Sequence, residues 1–499
     1  MHLNLGTILD ASARTHPDRV VLRLNDFAMT YGELDRAARG VAHGLRERGI
    51  ETGDSVALLV PNVPEFTIAY FGILYAGATV VPINVLAAAP EVAYFIRDSK
   101  AKLLIAHPLF AAPATAGAKE AGVECLVSSG DGDTLVALAQ GPAVDGLAST
   151  EATQTAVVLY TSGTTGKPKG AELTHSNLFL NCGCVTRRLI PFDGEPMNAL
   201  ATLPLFHSFG QTCIQNTTIA TGGSFSLLPR FEPGAAFEIL QRDRINVFAG
   251  VPTMYFGLLH HEGGERYDVS SLRYCMTGGA PMPVEVLRAF EERFGVVVQE
   301  GFGLSETSPV SSFNTLDKPR KPGSIGYPVW GVEMCIMDDD DSPLPDGERG
   351  EICIRGHNIM KGYLGRPDAT KEALKNGWFH SGDIGYRDED GCYFIVDRKK
   401  DMILRGGFNV YPREVEEVLY AHPAVAEAAV IGVPHPSHGE EVKAVVAFAK
   451  GKTASEQELV QFCKARLAAY KYPRIVQVVD EIPKGPSGKL LKRELRDLD

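Results

Sequence analysis

Apolar positions along this chain alternate between short continuous runs and stripes at helical spacing, a pattern that predicts an open α/β sheet over its first part. Thr30 and Glu33 stand at capping-box spacing ahead of Leu34, Ala37, Ala38, Val41 and Leu45, which recur on one helix face. Residues 54–60 form a buried-strand run stopped by Pro61-Asn62, residues 66–75 a helix, and Val80-Val81-Pro82 another strand. Residues 111–155, rich in Ala, Gly and Ser, read as connecting structure. Val251-Pro252-Thr253-Met254-Tyr255 and Met276-Thr277-Gly278-Gly279-Ala280-Pro281-Met282 both read as strand ends running into turns. Residues 350–356 read as a strand, Lys361-Gly362-Tyr363 as a turn, and Asp383 in Trp378-Phe379-His380-Ser381-Gly382-Asp383 as a residue at a strand end.

Near Lys400 the pattern changes. Val415, Val418 and Leu419 sit at helical spacing, residues 425–431 and 442–448 read as strands, and Ser455 and Glu458 can cap a helix carrying Leu459, Val460, Phe462 and Cys463. The expected organisation is a large N-terminal α/β domain, residues 1–399, and a small C-terminal α+β domain, residues 400–499.

Length supports that division, because 499 residues exceed the roughly 250–300 that one core organises. A formal net charge of −12 argues against nucleic acid as a partner and against a polybasic membrane anchor, so an anionic ligand requires local basic patches. The nine cysteines form no Cys-x-x-Cys pair, and Cys182 and Cys184 have no clustered histidines beside them, so they read as reduced packing residues. No basic segment leads into an apolar core at the start, and no apolar run approaches the roughly 18 residues of a membrane span. The expected location is the cytoplasm.

Candidate chemistry begins at Tyr160-Thr161-Ser162-Gly163-Thr164-Thr165-Gly166-Lys167-Pro168-Lys169-Gly170, a loop of hydroxyls, glycines and lysines after a strand-like run. Glycines let backbone N–H groups turn inward, hydroxyls donate, and lysines supply charge for a phosphate. The P-loop pattern Gly-x-x-x-x-Gly-Lys-Ser/Thr fails here, since Thr161 stands at its first glycine and Pro168 at its last position. Further along lie Leu203-Pro204-Leu205-Phe206-His207-Ser208-Phe209-Gly210, then Glu300-Gly301-Phe302-Gly303-Leu304-Ser305-Glu306-Thr307, then Asp397-Arg398-Lys399-Lys400-Asp401, then Arg405-Gly406-Gly407-Phe408, and finally Pro483-Lys484-Gly485-Pro486-Ser487-Gly488-Lys489. Each has a bland reading by itself: a surface loop, a core histidine, a solvated glutamate, a charged face, a solubilising tail.

Together and in this order, from Thr161 to Lys489, these stretches resemble the signature motifs of the adenylate-forming superfamily, in its acyl-CoA synthetase branch. Ser305 stands where the family usually has Thr and keeps the hydroxyl. The resemblance implies a mobile C-terminal domain hinged at Lys400. Its activity would be ATP-dependent activation of a carboxylic acid to an acyl-AMP, followed by transfer to coenzyme A. It assigns Thr161, Ser162, Gly163, Thr164, Thr165 and Lys167 to the β- and γ-phosphates. Adenine would lie against Gly279, Ala280, Pro281, Glu300, Gly301, Phe302 and Gly303. Asp383 would hold the ribose hydroxyls, with Ile395 and Arg398 beside the nucleotide and Gly406, Gly407 and Phe408 on the thiol side. The implied catalytic groups are Lys489, Glu306, His207 and Ser305, with magnesium on Glu306 and Thr165.

On the same footing the acid would lie among Phe206, His207, Phe209, Val251, Met254, Phe302 and Pro309, which contain no cation for a second carboxylate. Malonate-activating relatives carry an arginine where this chain reads Phe256-Gly257-Leu258. A medium- or long-chain fatty acid is therefore expected first and an aryl acid of the benzoate or cinnamate type second. An acyl carrier protein in place of CoA, a homodimer, and a catalytically silent nucleotide- or lipid-binding regulator stay open as alternatives. The compact spacing of the large domain disfavours the carrier-protein ligases, and intact Lys489, Glu306 and Asp383 disfavour the regulator.

Overall fold

The computed structural model describes residues 1–130, 132, 134–161, 167–190, 195–315, 317–485, 488–492 and 494–497. They build four sheets. In the first, of nine strands, Val20–Leu24, Ser224–Leu227, Asn198–Ala201, Val247–Gly250, Tyr274–Thr277 and Val297–Gly303 run parallel as neighbours. Antiparallel strands Val310–Phe313 and Tyr327–Pro328 extend it beyond Val297–Gly303. The second sheet, of seven strands, centres on Thr155–Thr161, Thr79–Pro82, Ser55–Leu59 and Ala101–Ala106, with Lys169–Thr174 antiparallel to Thr155–Thr161.

Helix Tyr31–Glu47 begins at the capping box of Thr30 and Glu33 and buries the stripe from Leu34 to Leu45. Pro64–Tyr75, with Pro at its first turn, is buried on nearly every side, as a helix apolar all round must be. Residues 111–155 are more than connection: they contain helix Ala111–Ala121, edge strand Glu124–Val127 and helix Leu135–Gln140. The small residues that resemble linker composition are there to let helices approach, since a Cβ on Gly117 would lie 2.7 Å from the Ala89 carbonyl oxygen.

Three further readings are corrected. The strand at 247–250 ends before Pro252, which opens helix Pro252–Leu259, so 251–255 is a helix start; Pro tolerates that position because the first N–H has no helical partner. Asp383 lies in mid-strand within Trp378–Arg387, and Gly362–Tyr363 is a short strand paired with Lys169–Thr174.

The third sheet is antiparallel: Val332–Met337, Gly350–Gly356 and Trp378–Arg387 in order, with Tyr393–Arg398 on the last. The fourth begins at Ile403–Arg405 and joins Phe408–Val410, Gly439–Phe448 and Val425–His435. Helix Glu456–Lys464 crosses over to return Ile475–Val479 parallel to Gly439–Phe448. This last sheet has its own apolar core, with Ile403, Val410, Val415, Leu419, Val430 and Val446 all buried. Among the described residues no helix is long and apolar enough to cross a membrane.

Candidate active site

Open parallel sheets present ligands beyond the carboxyl ends of their strands. Here Tyr274–Thr277 and Val297–Gly303 end side by side, with Thr277 opposite Glu300, and each runs on into one of the glycine-bearing stretches. The glycines answer to close packing. A Cβ on Gly278 would lie 3.1 Å from the Gly301 carbonyl oxygen, one on Gly301 2.2 Å from the Phe313 ring, and one on Gly303 1.8 Å from the Pro309 carbonyl oxygen. Because backbone oxygen cannot swing aside, Gly303→Ala is expected to destabilise the fold by about 1–3 kcal/mol, read as a lowered denaturant midpoint at unchanged m-value. An unchanged midpoint would show that the strand end relaxes freely.

Glu300 points into the protein. Its Oε1 accepts the Met282 N–H at 3.1 Å, its Oε2 has no hydrogen-bond partner among the described residues, and burial pushes its carboxyl up to about 7, opposed by Arg413. The side chain therefore ties the 278–282 turn to the neighbouring strand. Phe302 is half-buried, and Ala280 and Pro281 follow Gly279 along the same turn.

Glu306 lies in the turn Ser305–Thr307 and is 8% exposed. Its Oε1 accepts the Thr161 hydroxyl at 3.2 Å and the Tyr363 hydroxyl at 2.9 Å, while its backbone oxygen accepts the Met360 N–H at 2.8 Å. The strand end of the second sheet, the motif turn and the short strand Gly362–Tyr363 thus meet on one carboxylate. Both side-chain bonds go to Oε1. Oε2 carries none among the described residues, so a hard oxygen donor is left for a hard cation, and the site fits magnesium. Ser162, Gly163, Thr164 and Thr165 lie outside the described residues. Lys167 is exposed with its ammonium 5.4 Å from the Tyr94 ring, and Lys169 stands 5.2 Å from the Tyr363 ring.

Asp383 pairs in register with Arg398 across the third sheet, and the Arg398 Nε lies 3.3 Å from its Oδ1. Asp383 is 4% exposed; burial pushes its carboxyl up to about 6, with Arg398 and Lys489 pulling it back. Lys489 reaches this group from the far end of the chain. The Thr253 hydroxyl donates to the Gly488 carbonyl at 3.1 Å, and Gly488 has φ +78° in a spot where a Cβ would meet Val251 at 2.8 Å. Glycine there lets the tip of the C-terminal unit enter the cleft of the large one. The Lys489 Cε would lie 3.2 Å from a Cβ on Gly279, itself at φ +80°. Burial and Arg398 bring the ammonium down to about 8, against Asp383 and Glu306.

His207 completes the wall. Burial, then Lys489, lowers its imidazole to about 3, so the ring is neutral at pH 7. Its Nδ1 accepts the Phe209 N–H at 3.4 Å, which assigns the ring hydrogen to Nε2, and its carbonyl accepts the Gln211 N–H at 3.0 Å. Behind it, helical residues Gln211, Thr212 and Gln215 are fully buried, and Thr67 and Asn216 hold Gln215 in place.

Lys489, Asp383, Arg398, Glu306, Thr161, His207 and Gly279 are therefore brought together. Ser305 is half-buried beside Glu306, and Ile395 lies in the strand bearing Arg398, its carbonyl accepting from Arg413 at 2.8 Å. The 406–408 loop stands elsewhere: Gly406 donates its N–H to the His438 carbonyl at 2.8 Å, Gly407 has φ +82°, and Phe408, 57% exposed, stacks on Tyr470 at 4.7 Å. The contributions of Tyr363 to Glu306 and of Thr253 to the lysine loop were missed by sequence reasoning. Both residues are visible in the motifs, but nothing local distinguishes them from core residues.

Residues 9–364 match the model of the AMP-binding enzyme family, and residues 414–489 that of the AMP-binding enzyme C-terminal domain. The chain is 40% identical to a feruloyl-CoA synthase from Amycolatopsis sp, over 99% of this chain and 98% of the relative. It is 37% identical to a long-chain-fatty-acid–CoA ligase of Bacillus subtilis, over 98% and 94%. Among solved structures, an anthranilate CoA ligase in complex with anthranoyl-AMP superposes with a TM-score of 0.94 at 29% identity, covering 99% of this chain and 97% of that one.

Proposed function

This chain belongs to the AMP-binding enzyme family and is an AMP-forming acyl-CoA ligase with ATP and coenzyme A as substrates, and from that premise we propose that it activates a medium- or long-chain fatty acid. The observation that carries the site assignment is the seating of Lys489 beside Gly279 with Asp383, Glu306 and His207 around it.

In the first half-reaction a carboxylate oxygen forms a bond to the α-phosphorus of ATP, and the bond to the β-phosphate bridging oxygen breaks, releasing pyrophosphate. Two anions approach each other, so the residues act by neutralising charge and aligning groups. Lys489 bridges the carboxylate and the α-phosphate, and the Ser305 hydroxyl donates to that phosphate. Neutral His207 presents Nε2–H to the carboxylate without adding charge. Asp383 accepts the ribose hydroxyls beside Arg398 and Ile395, and adenine lies against the 279–281 turn and Phe302. Thr161, Lys167 and the loop between them hold the departing phosphates. Magnesium, held by Glu306 and Thr165, would neutralise charge on the pyrophosphate.

For the second half-reaction the small domain, 400–499, turns about Lys400. It withdraws Lys489 and brings Gly406, Gly407 and Phe408 toward the thiol, whose sulfur attacks the acyl carbon and expels AMP. Support for such alternation comes from the C-terminal unit itself, which holds Lys489 among the large unit's residues while its Phe408 stays exposed against Tyr470.

The surroundings proposed for the acid support this reading. Phe206 and Phe209 are half-buried, Val251 and Met254 are buried, and no cation stands among these residues to pair a second carboxylate. A second reading, an aryl acid, is supported by the 40% identity to the feruloyl-CoA synthase. A panel of octanoate, palmitate, benzoate and ferulate, followed for pyrophosphate and thioester with and without CoA, separates the two. We expect acid-dependent pyrophosphate release greatest with a fatty acid, and thioester only when CoA is present. Preference for ferulate would move the assignment to aryl acids, and CoA-independent turnover with a carrier protein would change the acceptor.

A further inference from the structure

The C-terminal unit carries a group of donors that neither half-reaction uses. Strands Val425–His435 and Gly439–Phe448 form a hairpin in which His435 pairs with Gly439, so a tight turn places His435, Ser437 and His438 together. The His435 and His438 Nδ1 atoms lie 3.0 Å apart, and the Ser437 hydroxyl oxygen lies 3.4 and 3.2 Å from them. A carboxylate oxygen of Glu441 lies within 4.8 Å of one ring nitrogen of each histidine.

The 3.0 Å between the two Nδ1 atoms is close to one edge of a coordination tetrahedron. Zinc–nitrogen bonds of about 2.0–2.1 Å at tetrahedral angles place ligand atoms about 3.3 Å apart. When both rings carry hydrogen on Nε2, their Nδ1 lone pairs converge. The single Ser437 hydroxyl hydrogen can then answer only one of them, while the Ser437 N–H reaches His435 Nδ1 at 3.4 Å.

We propose that His435, His438 and Glu441 form a binding site for a divalent transition metal of the zinc class on the hairpin beneath the 405–408 loop. Charge alone does not make the site. Arg405 holds both oxygens of Glu441 at 2.5 and 2.9 Å, and Arg474 also acts on that carboxylate. A hard cation that relies on carboxylates would find Glu441 already neutralised. Two converging imidazoles instead favour a borderline metal, with Glu441 or water completing its coordination. Gly406 is bonded to the His438 carbonyl and Leu404 to the Glu440 side chain, so occupancy stiffens the loop that carries Phe408.

The test is calorimetric titration of the full-length, chelator-treated protein with zinc chloride alone. A single site is expected in the wild type, weakened about 10-fold or more in His435→Ala and in His438→Ala and lost in the double variant. Pyrophosphate release by the variants should equal that of the wild type, which reports an intact fold. Amide exchange at Gly406 should slow on zinc addition in the wild type only. Zinc binding that survives the double variant, or a wild type that takes up no zinc, overturns the site.

Discussion

Lys489→Ala should lower adenylate formation by on the order of 10²–10³-fold, the scale of removing one preorganised charge from a reacting site, while thioester formation from supplied acyl-AMP stays near the wild-type rate. The asymmetry follows from where the lysine sits. Its ammonium stands between Gly279, the neutral ring of His207 and the carboxylates of Asp383 and Glu306, where the carboxylate and the α-phosphate must meet. Only the first half-reaction has to bring two anions together. The same residue sets a pH limb. Burial lowers its ammonium to about 8, so the cation is present below that pH and lost above it. In the wild type, kcat/KM for ATP in pyrophosphate release should therefore fall above about pH 8. The limb should move upward in kcat, because bound polyphosphate favours the charged lysine. Lys489→Arg should keep part of the activity and lose the limb. Equal loss of both half-reactions in Lys489→Ala would sink the assigned role.

Glu306→Gln should cost about 10²-fold in adenylation and raise the magnesium concentration needed for half-maximal rate about 10-fold or more, with little change in stability. An amide keeps an oxygen that can accept from Thr161 and Tyr363 as Oε1 does now, so the meeting of the strand end, turn and short strand survives. What is lost is the charge on the atom left for the cation. Glu306→Ala separates the two roles: it also orphans the Tyr363 hydroxyl and should add roughly 1–3 kcal/mol of destabilisation. Magnesium dependence of the Gln variant identical to wild type would falsify the assignment of Glu306 as the metal ligand.

Both predictions draw on residues whose type was legible in the sequence and whose company was not. Glu306 and Lys489 stand out by motif, and the helix opened by Thr30 and Glu33 could be read from spacing because a capping box spans one turn. Tyr363 lies 57 residues from Glu306, and Thr253 lies 235 from Gly488. Such pairs leave no periodic trace, so neither was picked out as a site residue. Asp383 shows the limit on a finer scale: a Gly-Asp step resembles a turn, and Gly382 does adopt φ +72°, yet Asp383 pairs with Arg398 and the ten-residue strand continues past it. Likewise the small residues of 111–121 resemble a linker until packing against the neighbouring helix gives them a reason.

By itself the sequence determined the family, the reactive side chains and the faces of the helices and strands. Each of these is written in residue type or in a repeat of two to four residues, and each survives without knowledge of distant neighbours. Tertiary structure alone decided that Thr161, Glu306 and Tyr363 share one carboxylate oxygen. It also decided that Lys489 enters the cleft of the large unit while Phe408 stays exposed against Tyr470, and that His435 and His438 turn the same nitrogens toward each other. Such convergences depend on how whole sheets pack and twist against one another, a balance of many weak contacts summed over the chain that no short stretch contains.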